Sequence, residues 1–181
     1  MTYIAPVKLT ETDATTAATL NAVKGKIGMI PNLFATLARS PVALNGLLQL
    51  NDTIARGGLS AGEREIVALA VSQANTCHYC LSAHTLLGKG AGLSIEQTQQ
   101  ARAGNGGSPR ARAIAAFAKT LVEQKGHVPT SVLDQFKAAG LSEGDLLEVI
   151  VNVVATTLTN YANNVARTEI DFPVVPVQLA A

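Results

Sequence analysis

No stretch of the chain alternates apolar and polar residues strictly with period two. Apolar positions instead gather in alanine- and leucine-rich segments bounded by Gly, Pro, Ser or Thr, and this pattern reads as helical throughout. Thr10 is placed to cap a first helix, ETDATTAATLNAVKGKIG, stopping near Gly25 or Gly28. Pro31 suits the first position of a short helix, NLFATLARS. Ser40-Pro41 repeats the device before VALNGLLQLNDTIARGG, which Gly57 and Gly58 stop. Ser60 and Glu63 make a capping box that opens a helix running to about Asn75. Thr76 is placed to cap the next helix, with Cys77 in its first turn and its end near Gly88. A second capping box, Ser94 with Gln97, starts a short helix to about Ala103, and GNGG at 104–107 reads as a flexible loop. Ser108-Pro109 opens an amphipathic helix through Lys125, closed by Gly126. Thr130 caps a helix ending at Gly140, and Ser142 caps the longest, from about Glu143 to Arg167. The tail DFPVVPVQLAA, with two prolines, reads as extended. The pattern predicts an all-α fold of about eight helices in one domain spanning 1–181.

Composition adds three constraints. A domain of 181 residues buries roughly 70% of its unfolded surface, so it needs neither disulfide nor metal to hold together. Hydrophobic residues are 48% and charged ones 15%, an apolar surplus that points to a homo-oligomer burying helix faces between subunits. The net charge of +1, without a basic cluster, argues against nucleic acid as a partner. The most apolar run, Leu146 to Tyr161, carries Glu148, Asn152 and Asn160 and falls short of the ~20 apolar residues of a membrane span, so it reads as a buried helix. The opening MTYIAPVKLTETDATT lacks the apolar core of an export signal. The expectation is a cytoplasmic chain whose two cysteines are working thiols, with no membrane association.

The chemistry concentrates in EIVALAVSQANTCHYCLSAH, from Glu65 to His84, which holds both cysteines. With about 100° per helical residue, Cys77, Cys80 and His84 share an arc of roughly 60°, while His78 and Tyr79 point elsewhere. His84 is thus the partner of the thiols. His78 and His127 read as structural, and Tyr79 as a packing residue that could line a substrate path. At a helix start the unpaired N–H groups and the dipole favour a thiolate at Cys77. A thiolate attacks peroxide oxygen to give a sulfenic acid, and a second thiol within reach condenses with it to a disulfide before over-oxidation. His84 can take or relay the proton. Glu65, flanked by Ala68, Leu69 and Ser72, suits a partly desolvated proton carrier if the two helices fold back antiparallel. Two other readings stand beside this one: ordinary buried cysteines, and a zinc site made of the cysteines with His84 and Glu65. Asn160, Asn163 and Asn164 form a polar cluster on an apolar helix and read as capping or interhelical hydrogen bonds.

The pattern E-x11-C-x-x-C-x-x-x-H, met here as Glu65, Cys77, Cys80 and His84, resembles the AhpD-like alkylhydroperoxidases of the carboxymuconolactone decarboxylase superfamily. The segments GMIPNLFATLARSPVALNGLL, LSAGEREIVALAVS and NVARTEIDFP are similar to its peroxidase-related branch, so the resemblance runs from about Lys24 to Pro173, with the core motif at about 40–125. The resemblance implies an AhpD-like helical fold, association into dimers, trimers or hexamers, and reduction of hydrogen peroxide or organic hydroperoxides by the cysteine pair. The disulfide would be re-reduced by a dithiol donor, lipoyl or thioredoxin-like, without metal, haem or flavin. It also implies that Cys80 attacks, Cys77 resolves, and Glu65 and His84 relay the proton. The helix dipole favours Cys77 as the thiolate, so the two lines disagree on the order of the sulfurs. Where AhpD has a further histidine before the second cysteine, this chain has Tyr79. A lactone decarboxylase and a non-enzymatic redox relay or sensor are the competing functions.

Overall fold

The computed structural model describes residues 1–179; the last two residues of the tail, Ala180 and Ala181, lie outside the described residues. A short 3-10 turn at Leu9–Glu11 is followed by nine α-helices: α1 (Ala14–Ile27), α2 (Asn32–Leu37), α3 (Pro41–Ile54), α4 (Ala61–Ala74), α5 (His78–Gly90), α6 (Ile95–Arg102), α7 (Pro109–Glu123), α8 (Thr130–Ala138) and α9 (Glu143–Ala166). No strand occurs among the described residues, so the all-α expectation holds, with one helix more than the rounded count of eight.

The caps follow local chemistry. Ser60, Ser94 and Ser142 each form the reciprocal capping box, and Ser40 and Ser108 cap helices that begin with proline. The first helix departs from expectation. Asp13, not Thr10, is its cap, because the Asp13 carboxylate accepts from the N–H groups of Thr15 and Thr16 at 3.0 and 2.9 Å. Gly28 ends that helix in the left-handed conformation. The 104–107 loop, expected to be flexible, is tightly packed: a Cβ on Gly106 would fall 2.6 Å from the backbone at Ala111 and Arg112.

Helix α4 is the organising element. Ile66 to Ser72 are all buried, which a helix tolerates only when neighbours surround it. It packs against α5, α6, α7 and α9. On one side Leu69, Val71, Ile114, Phe117, Phe136 and Val149 form one apolar cluster, with the Phe117 and Phe136 rings 5.2 Å apart. On the other side Leu20, Leu33, Leu37, Leu44 and Leu47 form a second cluster, and it contains Cys77, Tyr79 and Cys80. The cysteines therefore sit against a leucine core.

Helix α9 closes the bundle. Its Glu148 carboxylate accepts from the N–H groups of Gly58 and Leu59 at 2.7 and 3.2 Å, which ties the α3–α4 loop to α9. The run Leu146–Tyr161 is not buried all round: Val149, Asn152, Val153, Ala155 and Thr156 face inward, whereas Leu147, Val151, Val154, Leu158 and Tyr161 are exposed. None of the described helices is long and apolar enough to cross a membrane.

Candidate active site

The site is built where α4 turns into α5. Thr76, an exposed residue, adopts the left-handed conformation with φ 54°. The N–H of Thr76 donates to the Gln73 carbonyl (3.1 Å) and that of Cys77 to the Ser72 carbonyl (2.9 Å). This is a Schellman closure, with threonine where glycine is usual. The reversal sets α5 antiparallel to α4 and makes Cys77 the cap of α5, replacing Thr76 in that role. Cys77 thus precedes the helix (φ −87°, ψ 95°) and does not sit in its first turn. The 100° spacing does not extend back to it, so the shared arc contains Cys80 and His84 alone.

Cys77 and Cys80 are joined as a disulfide, with Cα atoms 5.3 Å apart. The Cys80 N–H donates to Cys77 Sγ at 3.3 Å. Both residues are buried, Cys77 completely and Cys80 to within 2%.

A cavity of about 310 Å³ opens on one of the two. Cys80 lines it and Cys77 does not. Leu33 and Phe34 of α2, Leu47 of α3, Ala155 of α9 and Phe172 of the tail form much of the apolar wall. Arg64, Glu65, His84 and Asn152 supply polar groups. His84 Nδ1 lies 2.8 Å from Glu65 Oε2, and both side chains are about four-fifths buried. The structure thus brings Cys80, His84 and Glu65 onto one cavity and leaves Cys77 behind the wall, reached through the disulfide.

Tyr79 also belongs to the cavity wall, not only to the packing behind it. Its hydroxyl accepts the Leu33 N–H at 3.2 Å, and its ring meets Phe172 edge-on at 5.6 Å. Burial first, and then the neighbouring Asp171 carboxylate, push its pKa far up, against the opposing Leu33 N–H. Tyr79 is therefore a neutral phenol at ordinary pH. His78 points away from the cavity: its Nε2 is 2.8 Å from the Val175 carbonyl, which pins the tail. His127 is exposed in the α7–α8 loop. The described residues contain no group of three or more His, Cys, Asp and Glu able to hold a metal ion.

The asparagines of α9 divide. Asn160 bridges helices, accepting from Asn75 Nδ2 at 3.0 Å and donating to Ser72 Oγ at 3.2 Å, and Asn164 donates to the Asn75 carbonyl at 3.1 Å. Asn163 instead donates from Nδ2 to Cys80 Sγ at 3.3 Å. Sequence reasoning missed that contact, and it missed Phe172. Both meet the site across more than eighty residues of chain, where no local spacing links them to the cysteines.

Residues 41–120, from α3 into α7, match the sequence model described as the carboxymuconolactone decarboxylase family. No curated protein matches the chain in sequence. Among solved structures, it is similar to an AhpD-core, uncharacterized peroxidase-related protein from Ralstonia eutropha JMP134. The identity there is 23% and the TM-score 0.84, over 94% of this chain and 92% of that one. A peroxidase-related protein from Silicibacter sp. TM1040 is 20% identical, with a TM-score of 0.78 over 92% and 91% of the two chains. The debrominase Bmp8, as a cysteine-to-alanine variant in complex with 2,3,4-tribromopyrrole, is 17% identical, with a TM-score of 0.80 over 94% and 92%. At these identities the likeness is one of fold.

Proposed function

We propose that this protein is a thiol-dependent peroxidase that reduces organic hydroperoxides through Cys80 and Cys77. The observation that carries the reading is that Cys80, His84 and Glu65 line one cavity, with His84 bonded to Glu65 and Cys77 joined to Cys80 from behind.

In the reduced protein the Cys80 thiolate attacks the terminal oxygen of R–O–OH. The O–O bond breaks, Cys80 becomes a sulfenic acid, and the alkoxide leaves as R–OH with a proton delivered by His84. Glu65, 2.8 Å from Nδ1, orients the His84 ring. The Cys77 thiolate then attacks the Cys80 sulfur, releases water after protonation of the departing hydroxide, and gives the observed disulfide. A dithiol donor, lipoyl or thioredoxin-like, returns the pair to two thiols. The apolar cavity suits a substrate with an organic body better than hydrogen peroxide, because hydrogen peroxide gains nothing from apolar walls.

The same cavity favours a second substrate class, the brominated aromatic ring. Two thiols and one aryl bromide give the aryl hydride, bromide, a proton and the disulfide, so the electron count is the same. The fold's likeness to a debrominase is consistent with that chemistry.

We also take the protein to be a cytoplasmic homo-oligomer, with the exposed apolar stripe of α9 as the surface that a second copy covers.

The test is dithiol-dependent turnover by the purified protein, comparing cumene hydroperoxide, hydrogen peroxide and 2,3,4-tribromopyrrole. Cumene hydroperoxide should be consumed fastest. Cys80→Ser should abolish turnover, and Cys77→Ser should consume one equivalent and leave a dimedone-reactive sulfenic acid on Cys80. Wild-type rates from Cys80→Ser would overturn the cysteine mechanism. Faster loss of bromide than of hydroperoxide would move the function to the second class.

A further inference from the structure

Among the described residues, Asn163 is the only side chain that donates a hydrogen bond to either sulfur. It is 3% exposed, and its Oδ1 has no partner. Asn160, one turn earlier on the same helix, differs in both respects that matter: its amide oxygen and nitrogen are each engaged with another helix. Asn160 therefore fastens α9 to α4, whereas the one side-chain bond of Asn163 goes to Cys80 Sγ. Its backbone is also fixed, because the Asn163 carbonyl accepts the Thr168 N–H at 3.2 Å where Arg167 closes α9 in the left-handed conformation. Helix α9 thus holds an amide N–H on a sulfur and leaves the other end of that amide idle.

We propose that Asn163 stabilises Cys80 as the thiolate and thereby makes it the attacking sulfur. This rests on the reading of the Cys80–Cys77 pair as the redox centre. Each sulfur has one donor, but of different kinds. Cys77 Sγ takes the backbone N–H of Cys80, which comes from the α5 cap itself. Cys80 Sγ takes an amide from a different helix, and that bond strengthens when the sulfur carries charge. The N-terminal end of α5 favours charge at both positions and does not choose between them. Asn163 adds its donor at the sulfur that faces the cavity.

The titratable and charged groups facing Cys80 are few. Glu65 and Arg64 come from α4, and Tyr79 and His84 from α5. Asp171 stands beside Tyr79. Helices α1, α2, α3 and α9 bring no ionisable side chain to the cavity. Substitution of Asn163 leaves that set in place, so a change in Cys80 titration would report on the amide.

The experiment uses the Cys77→Ser protein, in which Cys80 is the single cysteine. The pH dependence of its alkylation by iodoacetamide gives the thiol midpoint with no peroxide present. Asn163→Leu should raise the midpoint by about one pH unit, which slows alkylation at pH 7 by about tenfold. Asn163→Asp, which sets a carboxylate against the sulfur, should raise it further. Circular dichroism checks that each variant is folded, and an unchanged midpoint in folded Asn163→Leu overturns the proposal. A second measurement leaves Asn163 intact. The side-chain amide resonances of Asn163 in Cys77→Ser should titrate with the alkylation midpoint, and resonances flat through that pH range would equally overturn it. If the midpoint shifts as stated while no hydroperoxide is consumed, the peroxidase reading fails and the role of Asn163 stands.

Discussion

His84 Nδ1 and Glu65 Oε2 lie 2.8 Å apart, bridging α5 and α4 on the wall that Cys80 shares. A carboxylate on one ring nitrogen fixes the orientation of the imidazole and directs the other nitrogen elsewhere. Glu65→Gln keeps a side chain of the same shape but replaces the carboxylate that orients the ring with a neutral amide. Hydroperoxide reduction should fall by roughly 10²-fold, the lower end of what a positioned acid–base group contributes. The melting temperature should change little. Steady-state rates beside thermal melts check this, and an undiminished kcat/KM would remove Glu65 from the proton path.

Helix spacing made the Cys80–His84 face legible in the sequence, because both residues lie within one helix and obey its period. The capping boxes at Ser60, Ser94 and Ser142 were legible for the same local reason. Cys77 was misplaced by one residue since the Schellman closure at Thr76 uses a left-handed threonine, for which the sequence carries no glycine to mark it. Asn163 and Phe172 enter the site by tertiary packing, and no local period relates them to it.

The left-handed Thr76 gives its own prediction. A β-branched residue in that conformation costs about 1–2 kcal/mol, whereas glycine pays roughly 0.5–1 kcal/mol in unfolded-state entropy. Thr76 is exposed and caps nothing with its side chain, so Thr76→Gly should stabilise the fold by up to about 1 kcal/mol. Chemical denaturation of the oxidised protein measures the change. Destabilisation would mean that the threonine side chain helps hold the turn.

The tail is fastened by a buried cation. Arg102, 4% exposed, donates to the carbonyls of Pro176 and Val177 at 2.8 Å each and to Gln73 Oε1 at 2.8 Å. Burial holds its pKa below the usual arginine value. Arg102→Met leaves the Pro176 carbonyl and Gln73 Oε1 without their donor, while the Val177 carbonyl keeps Gln73 Nε2 at 3.1 Å, and should destabilise the protein by about 2–3 kcal/mol. It should also release the Val175 N–H, which now donates to Ser82 Oγ at 3.3 Å, and loosen the Phe172 wall of the cavity. Hydrogen exchange at Val175 should accelerate before that of the α4 core; equal protection in the variant would show that His78, Ser82 and Gln73 hold the tail without Arg102.

Glu63 sets an acid limit on stability. Burial raises its pKa, but the Arg110 guanidinium and the N–H and hydroxyl of Ser60 lower it more, and the net direction is down. A carboxylate whose folded pKa is depressed contributes stability above its unfolded value, and that contribution disappears as pH falls through the folded value. Glu63→Gln should therefore be less stable than wild type at pH 7 and match it in acid, once the Glu63 carboxylate of the folded wild type is protonated. Melting curves at the two pH values check the sign. An equal deficit at both would assign the effect to the capping box rather than to charge.

The exposed face of α9 has the spacing of a helix seam. Leu147, Val151, Val154, Leu158, Tyr161 and Val165 follow one another in steps of four and three residues and are 40–62% exposed. That alternation is the 3.5-residue period by which two helices pack along their length. No charged residue lies between Glu148 and Arg167 to oppose such packing. A second copy of the chain, related by a two-fold axis, is the partner expected to cover this face. Wild-type protein at micromolar concentration should show at least the dimer mass by light scattering. Val154→Glu combined with Leu158→Glu should give the monomer mass with the helical circular dichroism retained, because two carboxylates per copy would face their mates across the seam. Wild-type protein at the monomer mass, or an unchanged assembly in the double variant, would place the subunit contacts on another face.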